Sequence, residues 1–230
     1  MRSLAPSPPV AVVAERLEVL RRRIADAGAD PSAVTVVAVT KGFDRGAVDA
    51  ALAVGIPAVG ENYADELLAK AAAFGGDATV GPAVPWHYIG AIQRRRVREL
   101  AAVVQCWQTV WRLEEGRSIA RHAPGATVMV EVNLAGSADR PGAAPTDVAT
   151  LVQQLGGEGL SVVGLMGVAP PGPPQMARPG FRALASLAGE LGLAQLSMGM
   201  SGDLQVAVEE GATMVRVGTA LFGQRPPVAR

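Results

Sequence analysis

The chain has 230 residues but only one cysteine, Cys106, two histidines, His87 and His122, and two lysines, Lys41 and Lys70. One cysteine permits no internal disulfide, no Cys/His spacing resembles a zinc site, and two histidines exclude a histidine-rich metal centre. Aromatic residues make up 4% of the chain, and too few basic residues interleave with Trp86, Trp107 and Trp111 to form a stacking platform for nucleic acid. Charge of one sign is also missing. The 21 basic residues balance 21 acidic ones, so no global field favours nucleic acid or a membrane surface. No apolar run is long enough to span a bilayer, and Met1-Arg-Ser-Leu-Ala-Pro-Ser-Pro-Pro-Val10 lacks the apolar core of a signal peptide. The expectation is a soluble, cytoplasmic, monomeric protein.

Half the residues are hydrophobic, and Ala, Val, Leu and Gly dominate over aromatics. That composition suits parallel strands buried on both faces beneath small-residue helices. A first helix is expected over about 8–28, where Val12, Val13, Leu17, Leu20 and Ile24 recur at helical spacing and Arg21-Arg-Arg23 makes a solvated last turn. Eight strands are expected at 34–40, 57–60, 86–90, 102–107, 126–133, 160–166, 193–198 and 213–217. Helices are expected between them at 44–54, 62–74, 93–101, 111–122, 145–156, 179–190 and 202–210, with a short turn at 219–222. Eight uninterrupted βα units argue for one closed α/β barrel, a (β/α)8 TIM barrel over 34–225 with an extra N-terminal helix, in a single domain spanning 1–230. An open doubly wound sheet would want a Gly-x-Gly-x-x-Gly turn after the first strand, and Lys41-Gly-Phe-Asp44 stands there instead. Gly- and Pro-rich pieces at 75–85, 135–145 and 167–180 read as loops within the domain.

The scarcity of lysine gives Lys41 its interest. Nineteen arginines serve as the ordinary cations, yet a lysine ends the run Val34-Thr-Val-Val-Ala-Val-Thr-Lys41. An amine can be desolvated, deprotonated and made nucleophilic, whereas a guanidinium stays charged. Lys70, within the 62–74 helix, is expected to be exposed. In such barrels active sites lie at the C-terminal strand ends, and a phosphate site is often built from the loops after strands seven and eight. Here those loops carry Ser201-Gly202 and Gly218-Thr219, whose hydroxyls and small residues suit phosphate oxygens. A lysine facing a phosphate cradle fits either a Schiff-base aldolase or a pyridoxal phosphate site. Arg216, two residues before Gly218 on the same strand face, suits the ring nitrogen of pyridoxal phosphate and disfavours its protonation.

Several segments together resemble one family. They are Val39-Thr-Lys41, Gly60-Glu-Asn62, Trp86-His-Tyr-Ile-Gly90 with Gln93, Val132-Asn133, Gly164-Leu-Met166, Leu196-Ser-Met-Gly-Met-Ser201-Gly-Asp203 and Val215-Arg-Val-Gly-Thr219 through Phe222-Gly223. Over about residue 10 to Arg225 the chain is similar to the pyridoxal phosphate homeostasis proteins (the YggS/PROSC family), which share the N-terminal barrel fold of alanine racemase. The resemblance implies that Lys41 forms a Schiff base with pyridoxal 5′-phosphate, that Ser201, Gly218 and Thr219 hold the phosphate, and that Arg216 partners the ring nitrogen. It also puts Asn62, His87 and Met200 on the pocket lining. It implies a role in holding the cofactor and delivering it to apoenzymes, without established turnover. The chain departs from the family pattern at Gln93-Arg-Arg-Arg96, at Gln108-Thr-Val-Trp111-Arg112 after strand four, and at Arg140, where lysine is common. After strand four it is a usual acidic residue that is replaced; the lysine-to-arginine changes preserve charge but remove amines, which leaves secondary cofactor sites on those lysines unsupported.

The alternative is a pyridoxal phosphate-dependent amino-acid racemase. Two-base racemisation needs a second acid/base opposite the lysine, which in racemases of this fold is a tyrosine from an additional domain. Tyr63 and Tyr88 are the only tyrosines of this chain, which ends at Arg230. Cys106 is expected to be a buried strand residue. The run Arg94-Arg-Arg96 with Arg98 reads as a solvated face.

Overall fold

The computed structural model describes residues 4–74, 84–137 and 139–224. Eight parallel strands close into a barrel in strict chain order. They are β1 (Thr35–Val39), β2 (Ala58–Glu61), β3 (Trp86–Tyr88), β4 (Val104–Val110), β5 (Thr127–Val132), β6 (Ser161–Gly167), β7 (Gln195–Ser197) and β8 (Met214–Val217). Closure runs through β1 and β8, with Thr35 opposite Met214 and Val37 opposite Arg216.

The period of two along each strand separates two cores. Val36, Ala38, Val128, Val130, Val215 and Val217 point outward and pack under the helices. The alternate positions Val37, Ala58, Cys106, Met129, Met166 and Met214 form a separate cluster inside the barrel. Three of these six are methionines, whose unbranched side chains fill an irregular interior. Cys106 is buried as expected, and burial pushes its thiol up to about 12, which makes it inert.

The outer ring consists of α2 (Gly46–Ala53), α3 (Ala64–Ala73), α4 (Val97–Leu100), α5 (Leu113–His122), α6 (Val148–Gly157), α7 (Arg178–Glu190), α8 (Leu204–Glu209) and the single turn α9 (Thr219–Phe222). So short a last helix cannot cover the β8–β1 seam. The N-terminal helix α1 (Val10–Asp26) takes that place, packing against α2, α8 and α9. Its apolar stripe, Val13, Leu17, Leu20 and Ile24, is fully buried, each residue contributing roughly 1.5–3 kcal/mol. Arg16 fixes it further by donating to the Leu221 carbonyl at 2.9 Å.

Three expectations change. Lys70 is 3% exposed, not a surface residue. It lies on the buried face of α3 with Glu66, Leu67 and Ala71, where the Glu61 carboxylate 2.6 Å away compensates its charge. Arg23 is half-buried and donates to the Ser201 carbonyl at 3.2 Å, so only Arg21 and Arg22 belong to a solvated turn. β4 runs on to Val110, which puts Gln108 within the strand. Its polar Gln108-Thr109 pair reads as a strand end, yet both side chains find buried partners. The expected loop at 75–85 and the barrel end at 225 fall mostly outside the described residues.

Candidate cofactor site

A cavity of about 460 Å³ opens at the C-terminal ends of the strands, within the range that suits small-molecule ligands. Lys41, Asn62, Met200 and Ser201 line it, together with Arg216, Gly218 and Thr219. Seven of the eight residues expected at the site therefore share one cavity.

Lys41 occupies a four-residue turn. The Phe43 N–H donates to the Thr40 carbonyl at 3.1 Å, and Gly42 has φ +77°, as the third position of a type II turn requires. The Phe43 ring then packs on Phe222 with centroids 5.5 Å apart, joining this turn to the end of α9.

Across the cavity, the loop after β7 is tightly held. Asp203 Oδ1 accepts the Met200 N–H at 2.6 Å, and Ser201 Oγ accepts the Ala220 N–H at 3.1 Å, linking the loops after β7 and β8. Gly199 has φ +89°, and a Cβ there would meet the Ala207 Cβ at 2.5 Å, so only glycine permits this approach. Gly218 lies against β1, where an added Cβ would meet the Val39 carbonyl at 3.2 Å. The Thr219 N–H, in the first turn of α9, has no intrahelical acceptor available to it.

The Arg216 side chain is buried and fixed by the barrel interior. Nη1 donates to the Ser197 carbonyl at 2.6 Å and to Ser197 Oγ at 2.7 Å, and Nη2 donates to the Gly167 carbonyl at 2.9 Å. Ser197 Oγ in turn donates to Gln108 Oε1 at 2.6 Å, and Gln108 Nε2 meets His87 Nδ1 at 2.7 Å. With Gln108 as donor, Nδ1 accepts and the histidine proton sits on Nε2. A relay of His87, Gln108 and Ser197 thus orients the guanidinium from below. His87 belongs to this relay and does not line the cavity. Burial lowers Arg216 to about 10, so it remains cationic at neutral pH.

Glu131, on β5, is the carboxylate of the cavity wall, 6% exposed. Burial raises it to about 7, and the nearby Arg216 charge opposes that rise. Asn62 contributes a buried amide oxygen that has no hydrogen-bond partner among the described residues. A second cleft of about 380 Å³, lined by Trp111, Arg112 and Leu151 among others, offers no comparable set. There Arg112 is already paired with Glu115 at 2.8 Å and stacked on Trp111.

Two titrating groups of the interior, His87 and Glu131, give opposite slopes of stability with pH. Burial alone depresses His87 from 6.5 to about 4, so the folded state binds fewer protons there than the unfolded chain. Its contribution is present above 6.5 and is lost as pH falls through 4. Glu131 rises from 4.5 to about 7, so its contribution is present below 4.5 and is lost as pH rises through 7. Each is worth roughly 3 kcal/mol in full, and the two offset one another in the overlapping window. Urea unfolding at stepped pH is expected to separate them. Glu131→Gln should leave a stability that climbs from pH 4 to 6.5, and His87→Gln one that declines from pH 4.5 to 7.

Residues 12–226 match the family model described as alanine racemase, N-terminal domain. A pyridoxal phosphate homeostasis protein of Pseudomonas aeruginosa is 37% identical over 230 residues, spanning 94% of this chain and 97% of that one. The chain belongs to the pyridoxal phosphate homeostasis protein family. The human member of the family is 34% identical over 210 residues, spanning 83% of this chain and 76% of its own. Among solved structures, PipY of Synechococcus elongatus with PLP bound superposes with a TM-score of 0.80 at 31% identity, covering 92% of this chain and all of that one. Alanine racemase of Clostridium difficile matches with a TM-score of 0.70 at 14% identity, a likeness of fold alone, and this chain covers 60% of its length.

Glu131, Gln108 and Lys70 were not singled out in the sequence as parts of the site. The available signal was a charge at an inward strand position of Thr127-Val-Met-Val-Glu-Val132, and a lysine on the apolar stripe of its helix.

Proposed function

We propose that this chain holds pyridoxal 5′-phosphate as a reversible Schiff base on Lys41 and serves its homeostasis without turning over a substrate. The observation carrying this reading is the convergence of Lys41, the Ser201 and Gly218-Thr219 loops and Arg216 on one cavity of suitable volume. The residues present fit the group. Ser201 Oγ accepts one backbone N–H and keeps its own proton to donate, and the orphaned Asn62 oxygen can take a ligand donor, removing a penalty of about 1–3 kcal/mol. When bound, the cofactor supplies an aldehyde that condenses with a primary amine, with loss of water.

The protein's own residues would then divide the work. Lys41 supplies the amine. Ser201, Gly218 and Thr219 bind the phosphate. Arg216, cationic and with donor capacity beyond its three fixed contacts, faces the ring nitrogen and keeps it unprotonated. Met200, on the exposed side, and the buried Phe43 would limit water at the cavity. The absence of turnover is supported by the tyrosines. Tyr88 is buried against Trp107, donates to the Ala91 carbonyl and is pushed up to about 12 by burial, and neither tyrosine lines the cavity. Reversibility of the bond would allow transfer to apoenzymes.

Mixing the protein with pyridoxal phosphate is expected to give a visible absorbance band. Borohydride should then attach the cofactor to the peptide containing Lys41. Attachment to another residue at full occupancy would overturn the assignment. Enzyme-like exchange of the α-hydrogen of alanine in deuterium oxide would overturn the absence of turnover, with Glu131 as the group to suspect.

A further inference from the structure

The second of the two lysines lies directly beneath the first. Lys70 Nζ donates to the Thr40 carbonyl at 2.8 Å and to Glu61 Oε2 at 2.6 Å, with Glu66 Oε2 at 3.7 Å. Glu66 Oε2 also accepts the Gly42 N–H at 2.6 Å. The backbone is thus gripped immediately before Lys41 and immediately after it. Glu61 is held in its turn, with Oε1 accepting the Asn62 N–H at 2.9 Å. All three charged side chains are buried, at 3% exposure for Lys70, 0% for Glu61 and 9% for Glu66.

Burying one ammonium and two carboxylates is costly, and a buried ion pair is seldom a net source of stability over an apolar replacement. Burial pushes the Glu61 carboxyl up, against the pull of the Lys70 charge. The arrangement therefore calls for a reason other than stability. The backbone groups it binds supply one, because they define the turn that carries Lys41. The choice of amine also follows. A compact ammonium with three tetrahedral donors can reach Thr40 and Glu61 at once, whereas a planar guanidinium needs a wider fork. In a chain with nineteen arginines, lysine stands at the position where both contacts must be made from one nitrogen.

We infer that Lys70 and Glu66, with Glu61, are positioning residues that fix the Thr40–Phe43 turn so that the Lys41 amine is presented to the cofactor aldehyde. The inference rests on the proposed tether. Its test also has a readout that needs no cofactor. Hydrogen exchange of the unliganded protein reports the Gly42 and Phe43 amides directly. In Lys70→Met and Glu66→Ala these amides are expected to exchange at least about tenfold faster. Glu66→Gln keeps an acceptor for the Gly42 N–H and should exchange like the parent. With cofactor, borohydride trapping at Lys41 should slow by about tenfold or more in the first two variants, because a misplaced amine loses effective concentration. Affinity for pyridoxine 5′-phosphate, which has the phosphate but no aldehyde, should stay within about threefold, since the phosphate loops are untouched.

Unchanged exchange in both Lys70→Met and Glu66→Ala would overturn the clamp, whatever the cofactor does. Faster exchange with unchanged trapping would overturn the positioning role. Loss of trapping and of analogue affinity in equal proportion would assign the cluster to general stability and overturn it too. If Lys70→Met fails to fold, the Glu66→Ala and Glu66→Gln pair carries the same comparison. If the parent protein traps nothing at Lys41, the proposed function fails, while the exchange data still judge the clamp.

Discussion

Lys41→Arg is expected to abolish borohydride-stable attachment of pyridoxal phosphate altogether, while binding of the phosphate analogue persists. The substitution puts a permanent cation at the cavity wall and removes an amine that can lose its proton. Lys70, the other lysine of the chain, is bound to Thr40 and Glu61 in the interior and cannot substitute for it. The visible band should vanish, and mass spectrometry after reduction should find the peptide spanning position 41 unmodified. Equilibrium dialysis with pyridoxine 5′-phosphate should show that Ser201 and the Gly218-Thr219 loop still function. A reducible adduct surviving in Lys41→Arg would show that the tether lies elsewhere.

Arg216→Leu should produce the largest fall in stability of any cavity-lining substitution. The guanidinium satisfies the Ser197 and Gly167 carbonyls and is the counter-charge to Glu131. Removing it leaves two buried carbonyls unpaired and takes away the charge that favours the Glu131 carboxylate, together a loss of about 3–5 kcal/mol. For a chain of this length that corresponds to roughly 10 °C in Tm. Glu131 would then be driven further toward its neutral form, so the loss should be larger at pH 8 than at pH 5. Differential scanning calorimetry at the two pH values checks both statements. A loss that is the same at both would mean that Glu131 is not coupled to Arg216. Arg216→Lys should recover only part of the loss, since an ammonium cannot bridge Ser197 and Gly167 simultaneously.

The fold was legible where local pattern and tertiary role agree. Short apolar runs between amphipathic stretches mark all eight strands, because a parallel barrel buries both strand faces. The Ser197–Asp203 and Arg216–Thr219 segments were legible for a similar reason, since glycines and small hydroxyls at strand ends have few other uses. What stayed hidden is the polar interior. Charged or amide side chains in a one-dimensional reading default to solvent, so Lys70 was placed outside and Gln108 past the end of β4. Both are buried because a partner distant in sequence compensates them: Glu61 for Lys70, and His87 and Ser197 for Gln108. His87 sits at a strand position near the site, and sequence cannot say which layer of the barrel it occupies.

The outer ring is completed by the helix that comes first in the chain, with Arg16 reaching Leu221 across 205 positions of sequence. Bringing such distant segments together is entropically the slowest kind of contact to form. The Lys41 turn and the Ser201 and Thr219 loops lie on opposite sides of that same seam. Anything bridging them acts as a cross-link between early and late segments of the barrel, so a ligand that binds only the closed form stabilises that closure by mass action.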